Sequence, residues 1–382
     1  MNTYYNPVHT YQGYGTLDQL PRLAQECAAP EKTILLLVWD ASVLQVPAIC
    51  EFVEKEKYHL VTRCFTASNP ELGQLFDMYQ QTRMLNVGLV VAIGGGSVLD
   101  VGKSLCCLYG KQLDSEEALR QMIREKAYGA PSCRWIGVPT TAGTGSEVTC
   151  WATIWDSANN AKYSVDTPKN YAYAAVVDPT LAASMPLKLA VSSALDAVAH
   201  ATESYWAKAS NAVSKALALR AIRTIMGSID ALLENSGSKE AHDAMAQGSM
   251  LAGLAFSNTR TTACHSISYP LTMQCHIPHG VAVSLLLGPV LELNLPAISD
   301  TEALLDAFGV ETPSQADQRI TAILHAAGHP VRLRQWGASE EMLSGLVAHS
   351  MTKGRADNNP VELTETVVYN ILKWRVITAL DF

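Results

Sequence analysis

The feature that most constrains this chain is a change of hydrophobic period near Pro186. Before it, short β-branched and aliphatic runs recur at Ile34–Trp39, Leu60–Phe65, Val87–Ile93, Trp135–Val138 and Ala174–Val177. Helix-like stretches lie between several of them, at Pro47–Lys57, Pro70–Leu85 and Glu116–Tyr128. Strand, helix and strand in repeated order predict a parallel sheet with right-handed crossovers. The strand runs are almost wholly apolar, as expected of strands covered on both faces. After Pro186 the alanine- and leucine-rich stretches Leu187–Lys208, Val213–Leu233, Lys239–Phe256 and Val281–Leu293 keep a helical period. Gln315–Ala327, Glu340–Ser350 and Thr364–Leu372 predict shorter helices. The expected organisation is an α/β domain over 1–184 and an all-helical domain over 185–382.

Composition narrows the function classes. Of 382 residues, 48% are hydrophobic and 17% charged, enough to bury large cores. Acidic residues exceed basic ones by 8, which argues against a general nucleic-acid binder. The first twenty residues carry neither a basic n-region nor an apolar h-region, and no run approaches the ~18 apolar residues of a membrane span. The nine cysteines are scattered, with no CxxC pair, and predict reduced, mostly buried thiols in a cytoplasmic protein with no membrane partner.

Three segments carry recognisable chemistry. The strand Val87–Ile93 runs into Gly94-Gly95-Gly96-Ser97 and then a helix-like stretch containing Asp100. Glycines clear the space a pyrophosphate needs, and the N–H groups of a helix start favour an anion; a plain tight βα turn would use the same residues. Pro139–Glu147 places four hydroxyls and two glycines after another strand, as either a second ligand loop or a self-satisfied turn. Asp40 closes the first strong strand, where a carboxylate can accept ribose hydroxyls or simply cap the next turn. In the helical half, Asp196 and His200 stand at i, i+4 on one face. Cys264-His265-Ser266 and His276-Ile277-Pro278-His279 follow. One carboxylate with two or three imidazoles suits a divalent first-row ion such as Fe2+ or Zn2+.

Together these segments resemble the iron-containing, group III, alcohol dehydrogenase family. The likeness runs through the Gly13/Gly15 segment, GGGSVLDVGK at 94–103, PTTAGTGSE at 139–147, VVDPTLAASMP at 176–186, DAVAHATE at 196–203, GLAFSN at 253–258 and IPHG at 277–280. It implies a dinucleotide-binding α/β domain followed by a helical metal domain, the fold shared with dehydroquinate synthase. It also implies Asp196, His200, His265 and His279 as metal ligands. Gly94, Gly95, Gly96, Ser97 and Asp100 match an NAD diphosphate loop. Thr140, Thr141, Thr144, Ser146, Lys162 and Leu181 match further cofactor contacts, and Asp40 a ribose position favouring NAD over NADP.

Two departures bear on substrate. Where many members have a second histidine four residues after the third ligand, Tyr269 stands here, and the familiar NPR is Asn359-Pro360-Val361. The stretch from Thr259 to Thr272 looks like a branch reducing small anionic aldehydes such as sulfoacetaldehyde or phosphonoacetaldehyde, with isethionate or 2-hydroxyethylphosphonate as the alcohol. Arg260, Thr261 and Thr262, with Lys353, Arg355 and Asn358, are the candidate anion contacts. Tyr269 and His276 are the candidate proton relays. A homodimer is expected. Neutral alcohols or diols, a sugar-phosphate cyclase on the same fold, and a non-catalytic NAD-binding protein are the competing readings.

Overall fold

The computed structural model describes residues 3–27, 32–57, 59–159, 161–352 and 354–377. It separates into two compact units. One comprises Asn6–Thr141 and Gly145–Ala182; the other comprises the residues up to Tyr5, Ala142–Thr144 and the chain from Ala183 onward.

The first unit is a three-layer α/β body. Its strands are β1 (His9–Gln12), β2 (Thr33–Val38), β3 (Leu60–Cys64), β4 (Val87–Gly94), β5 (Arg134–Pro139), β6 (Trp151–Asp156), β7 (Ala161–Asp166) and β8 (Ala174–Val177). Six form a sheet in the order β1-β8-β5-β4-β2-β3, every pair parallel. β6 and β7 make a separate antiparallel ribbon. The helices are α1 (Leu20–Cys27), α2 (Pro47–Glu56), α3 (Leu72–Thr82), α4 (Gly96–Leu108), α5 (Glu116–Arg124) and the single turn α6 (Pro179–Ala182). Ile34 to Val38 and Leu89 to Ile93 are all 2% exposed or less, which is why both strands read as unbroken apolar runs.

The strand order fixes where a ligand can sit. β3 lies on one side of β2 and β4 on the other, so the chain reverses its direction of winding there. In open parallel sheets that reversal opens a crevice beyond the carboxyl ends of the strands. Asp40 follows β2, Gly95 and Gly96 follow β4, and Thr140 and Thr141 follow β5. Register pairs Val38 with Ile93 and Gly94 with Pro139, so all three loops leave the sheet at one edge.

The second unit is helical: α7 (Leu187–Trp206), α8 (Ala212–Met226), α9 (Ile229–Glu234), α10 (Lys239–Thr259), α11 (Ala263–Cys275), α12 (His279–Asn294), α13 (Thr301–Phe308), α14 (Pro313–Ala326), α15 (Leu343–Ala348) and α16 (Glu365–Ile377). The single helix expected over Val213–Leu233 breaks at Gly227-Ser228 into α8 and α9. The segment His279–Ala297 is long and apolar enough to cross a membrane, with a mean hydropathy of 1.5, closer to a span than the sequence suggested. Yet 61% of that window is buried within the protein, the position of a core helix. Asn294 and Asn359, both fully buried, exchange side-chain amide hydrogen bonds of 2.9 and 2.8 Å, which fasten the C-terminal loop to α12. Among the described residues the nine cysteines form no disulfide.

One buried carboxyl in the α/β unit makes its stability pH-dependent. Glu147 is 2% exposed, its Oε2 lacks a hydrogen-bond partner, and burial raises its pKa to about 7. A folded-state value above the unfolded one means stability is full below the ordinary carboxylate range and is lost as pH rises through about 7. Glu147→Gln therefore gains on the parent as pH rises from 5 to 8, by on the order of 2 kcal/mol. Thermal melts at both pH values check this; a constant difference between the two proteins contradicts it.

Candidate active site

Within the helical unit, α7 supplies three acidic or imidazole side chains to one face. Asp196, His200 and Glu203 stand at i, i+4 and i+7 and all are buried. His265 comes from the first turn of α11 and His279 begins α12. One ligand atom each from Asp196, His265 and His279 lie within 4.8 Å of one another. His200 flanks this trio. Its ring stacks on that of His265 with centroids 4.3 Å apart, and its Nδ1 is 4.0 Å from Asp196 Oδ2.

The donor set fits a divalent cation. Asp196 Oδ1 and His265 Nε2 are buried and face each other at 3.4 Å, without the alignment of a hydrogen bond. Two such atoms left facing across a dry core are expensive unless a third charge lies between them. The far sides of two of the imidazoles are already held. His265 Nδ1 bonds Glu203 Oε2, and His200 Nδ1 lies 3.2 Å from the Gly143 carbonyl while the ring stacks on Phe256. Anchoring one ring nitrogen leaves the other as the lone-pair donor, the arrangement around metal-binding histidines.

Charge in this cluster is strongly coupled. Burial alone would raise Asp196, but His200, His265 and His279 outweigh it and hold the carboxyl well below its usual range. Burial depresses His200 to about 4 against the pull of Asp196. For His265, burial pushes down, yet Glu203 and Asp196 win and hold it at about 9.

Close helix packing brings the ligands together. A Cβ on Gly280 would lie 2.3 Å from the Ser192 carbonyl and 3.4 Å from Asp196 Cβ, so only glycine lets α12 approach α7 this closely beside His279. Gly143 is pressed likewise against Ser193, which delivers its carbonyl to His200.

In the α/β unit, most of the candidate dinucleotide residues lie on the loops that follow β2, β4 and β5. Gly95 precedes α4 as its N-cap, and a Cβ there would crowd Thr141 Cγ2 at 3.3 Å. Thr140 N donates to Gly94 O at 3.0 Å, and Ser97 Oγ accepts from Asn69 N at 3.1 Å. Asp100, in the first turns of α4, ties two segments together. Its Oδ1 accepts from Ser146 Oγ at 2.7 Å and its Oδ2 from Thr153 N at 2.8 Å, so it braces the hydroxyl-rich loop instead of facing outward. Asp40 caps the turn after β2 by accepting from Ser42 N at 2.8 Å, and hydrogen bonding from the Ser42 side chain, then from that N–H, lowers its pKa. Lys162 lies 4.8 Å over the Trp155 ring on the β6–β7 ribbon, and Leu181 is buried in α6. Gly15 N donates to Asp178 Oδ2, which explains the early glycine segment as an anchor. Thr144 belongs to the helical unit.

The substrate-side candidates divide. Tyr269, 8% exposed, lies parallel to His279 with ring centroids 6.0 Å apart. The Arg355 guanidinium sits 5.2 Å from the Tyr269 ring centre, and its Nε donates to Thr261 Oγ1 at 3.1 Å. Among the described residues no carboxylate pairs with Arg355. Thr262 is fully buried and spent, donating to Glu203 Oε1 and accepting from Trp206 Nε1. Asn358 is also spent: its amide donates to the carbonyls of Thr259 and Thr261, which bracket Arg260. Arg260 itself has φ 65° and ψ −179°, a backbone region nearly reserved for glycine. His276 corrects the expectation of a relay. It is an exposed left-handed cap at the end of α11, and among the described residues no hydrogen bond or ring contact joins it to the cluster. Lys353 lies outside the described residues.

Sequence reasoning stopped at the i, i+4 pair and missed Glu203. Continuing the same face by three residues would have found it, since burial of a glutamate on an alanine-rich helix face demands a partner.

Comparisons with known proteins agree with this geometry. Residues 7–179 match the model of the iron-containing alcohol dehydrogenase family, and residues 190–376 match the C-terminal model of the Fe-containing alcohol dehydrogenase family. The chain belongs to the iron-containing alcohol dehydrogenase family. Within it, the chain is 29% identical to a choline dehydrogenase of Bacillus subtilis, over 89% of this chain and 87% of that one. It is 30% identical to a phosphonoacetaldehyde reductase of Streptomyces viridochromogenes, over 74% and 75%. The crystal structure of a sulfoacetaldehyde reductase from Bifidobacterium kashiwanohense in complex with NAD+ superposes with a TM-score of 0.88 at 24% identity, over 99% of this chain and all of that one.

If Gly280 sets the ligand spacing, Gly280→Val should pry α12 from α7 and weaken binding of a divalent ion at least about tenfold. Equilibrium dialysis against Zn2+ tests this; parent-like binding in the folded variant would place the ligands elsewhere.

Proposed function

We propose that this chain is a metal- and NAD(H)-linked aldehyde reductase and alcohol dehydrogenase whose substrate is a small anionic aldehyde of the sulfoacetaldehyde or phosphonoacetaldehyde type. The overall reaction is aldehyde plus NADH plus a proton to alcohol plus NAD+. Asp196, His200, His265 and His279 would hold the ion, and the loops at Asp40, Gly94–Ser97 and Thr140–Thr141 would hold the dinucleotide. Bound there, a divalent ion supplies Lewis acidity toward a carbonyl oxygen, and the dinucleotide supplies hydride.

The chain's own residues do the rest. The first turn of α4, cleared of side chains by glycine, receives the diphosphate on its N–H groups. Asp40 accepts ribose hydroxyls and repels a 2′-phosphate. Tyr269 is held protonated, mainly by burial, and walls the side of His279.

The observation that carries the substrate reading is Arg355, a guanidinium beside Tyr269 with no carboxylate partner among the described residues. In a chain of net charge −8, an arginine with no carboxylate partner among the described residues favours an anion. The same cation disfavours a quaternary ammonium such as choline. This reading also fits the relatives named for charged two-carbon aldehydes.

Steady-state NADH oxidation tests the reading. Arg355→Ala should raise KM for sulfoacetaldehyde or phosphonoacetaldehyde roughly 10- to 100-fold and leave butanal within about twofold. Equal losses on both, or a parent enzyme that prefers butanal, would instead mark an enzyme for neutral alcohols. The cofactor assignment has its own check. Asp40→Gly should narrow the preference for NADH over NADPH by on the order of tenfold; an unchanged ratio would leave Asp40 as a turn cap alone.

A further inference from the structure

Glu203 is the most completely engaged buried carboxylate in the helical unit, and neither the catalytic reading nor the ligand set uses it. It is fully buried on the last turn of α7. Its Oε2 bonds His265 Nδ1. Its Oε1 accepts from Thr262 Oγ1 at 3.0 Å, from Cys264 N at 2.6 Å and from His265 N at 3.3 Å.

These bonds do two things at once. Cys264 and His265 occupy the second and third positions of α11, whose first N–H groups lack partners within the helix. An ordinary cap supplies a local side chain, but Thr262 at the N-cap position makes no such bond. Glu203 supplies it from another helix. The same carboxylate then grips the ring that α11 carries, so the start of the helix and the orientation of its histidine are fixed by one group. With Nδ1 held, His265 turns Nε2 toward Asp196 Oδ1. A divalent ion beside Asp196 alone would leave a buried net charge of +1, and the second carboxylate balances it.

We propose that Glu203 is the positioning residue of the metal centre: it fixes the His265 ring and the start of α11 together, and the site's affinity for a divalent cation depends on it. This inference rests on the metal-site reading above.

Co2+ titrated into the full-length, metal-free protein tests it, followed by visible d–d absorption and by competition with a chromophoric chelator. Glu203→Gln keeps the shape and loses the charge. It should bind Co2+ about 10- to 100-fold more weakly and shift the absorption bands. A cap that serves folding alone would lower the melting temperature and leave the bands and affinity at parent values; that result overturns the proposal. Asp196→Asn separates the two readings: it should abolish the bands, and parent-like Co2+ binding there would overturn the metal site itself. Should Glu203→Gln fail to fold, Thr262→Val withdraws one donor and leaves the carboxylate in place. It should weaken Co2+ binding several-fold, and an unchanged affinity would again overturn the proposal.

Discussion

Everything in the helical unit depends on how closely α12 can approach α7. Side-chain atoms from three separate helices must converge in a region that is otherwise alanine and leucine. Helices with ordinary side chains at the contact pack ~8–10 Å apart. The missing side chain at Gly280 removes the spacer at the point where His279 must reach Asp196. Ala194, Ala197 and Ala199 are fully buried at other angles around α7, where their small side chains let its other neighbours pack closely.

That approach is costly without compensation, because it concentrates charge where water cannot reach. Asp196 and Glu203 are both buried on one helix, and separating either from its partners would leave a buried anion costing several kcal/mol. The imidazoles are the compensation. His265 stands between the two carboxylates and is drawn toward its charged form, while His200, more distant from Glu203, is kept neutral by burial. That charge balance belongs to the ion-free cluster; a divalent cation bound there would displace the proton from His265 Nε2 and take over the balancing of Asp196 and Glu203.

Much of this was legible in the sequence, and what was not has physical reasons. The central strands announced themselves because both faces are covered and every position must be apolar. β1, with His9, Thr10, Tyr11 and Gln12, is a short edge strand open to solvent and carries no such run. The β6–β7 ribbon escaped because Trp151–Asp156 and Ala161–Asp166 mix polar and apolar residues outside the main sheet. α11 escaped most instructively. Its sequence holds two serines, Ile267 and an internal Pro270, all weak helix formers, and its start signal lies on a different helix. The Asp196/His200 spacing and the glycine and threonine loops were visible because their chemistry is local. Glu203, Arg355 over Tyr269 and the inward use of Asp100 were not, because each depends on a partner far away in the chain.

The Asn294–Asn359 pair constrains how this protein can vary. Each amide is both donor and acceptor to the other, so the interaction has no partial form. Aspartate at one position would bring an acceptor to an acceptor; leucine at 359 would strand the Asn294 amide, while leucine at 294 would leave the Asn359 amide only its bond to the Val361 carbonyl. Replacing one amide therefore costs more than replacing both together by apolar groups of the same shape. Because Asn359 ends the loop that carries Arg355, losing either amide loosens the tether that holds that loop, and the guanidinium on it, to α12.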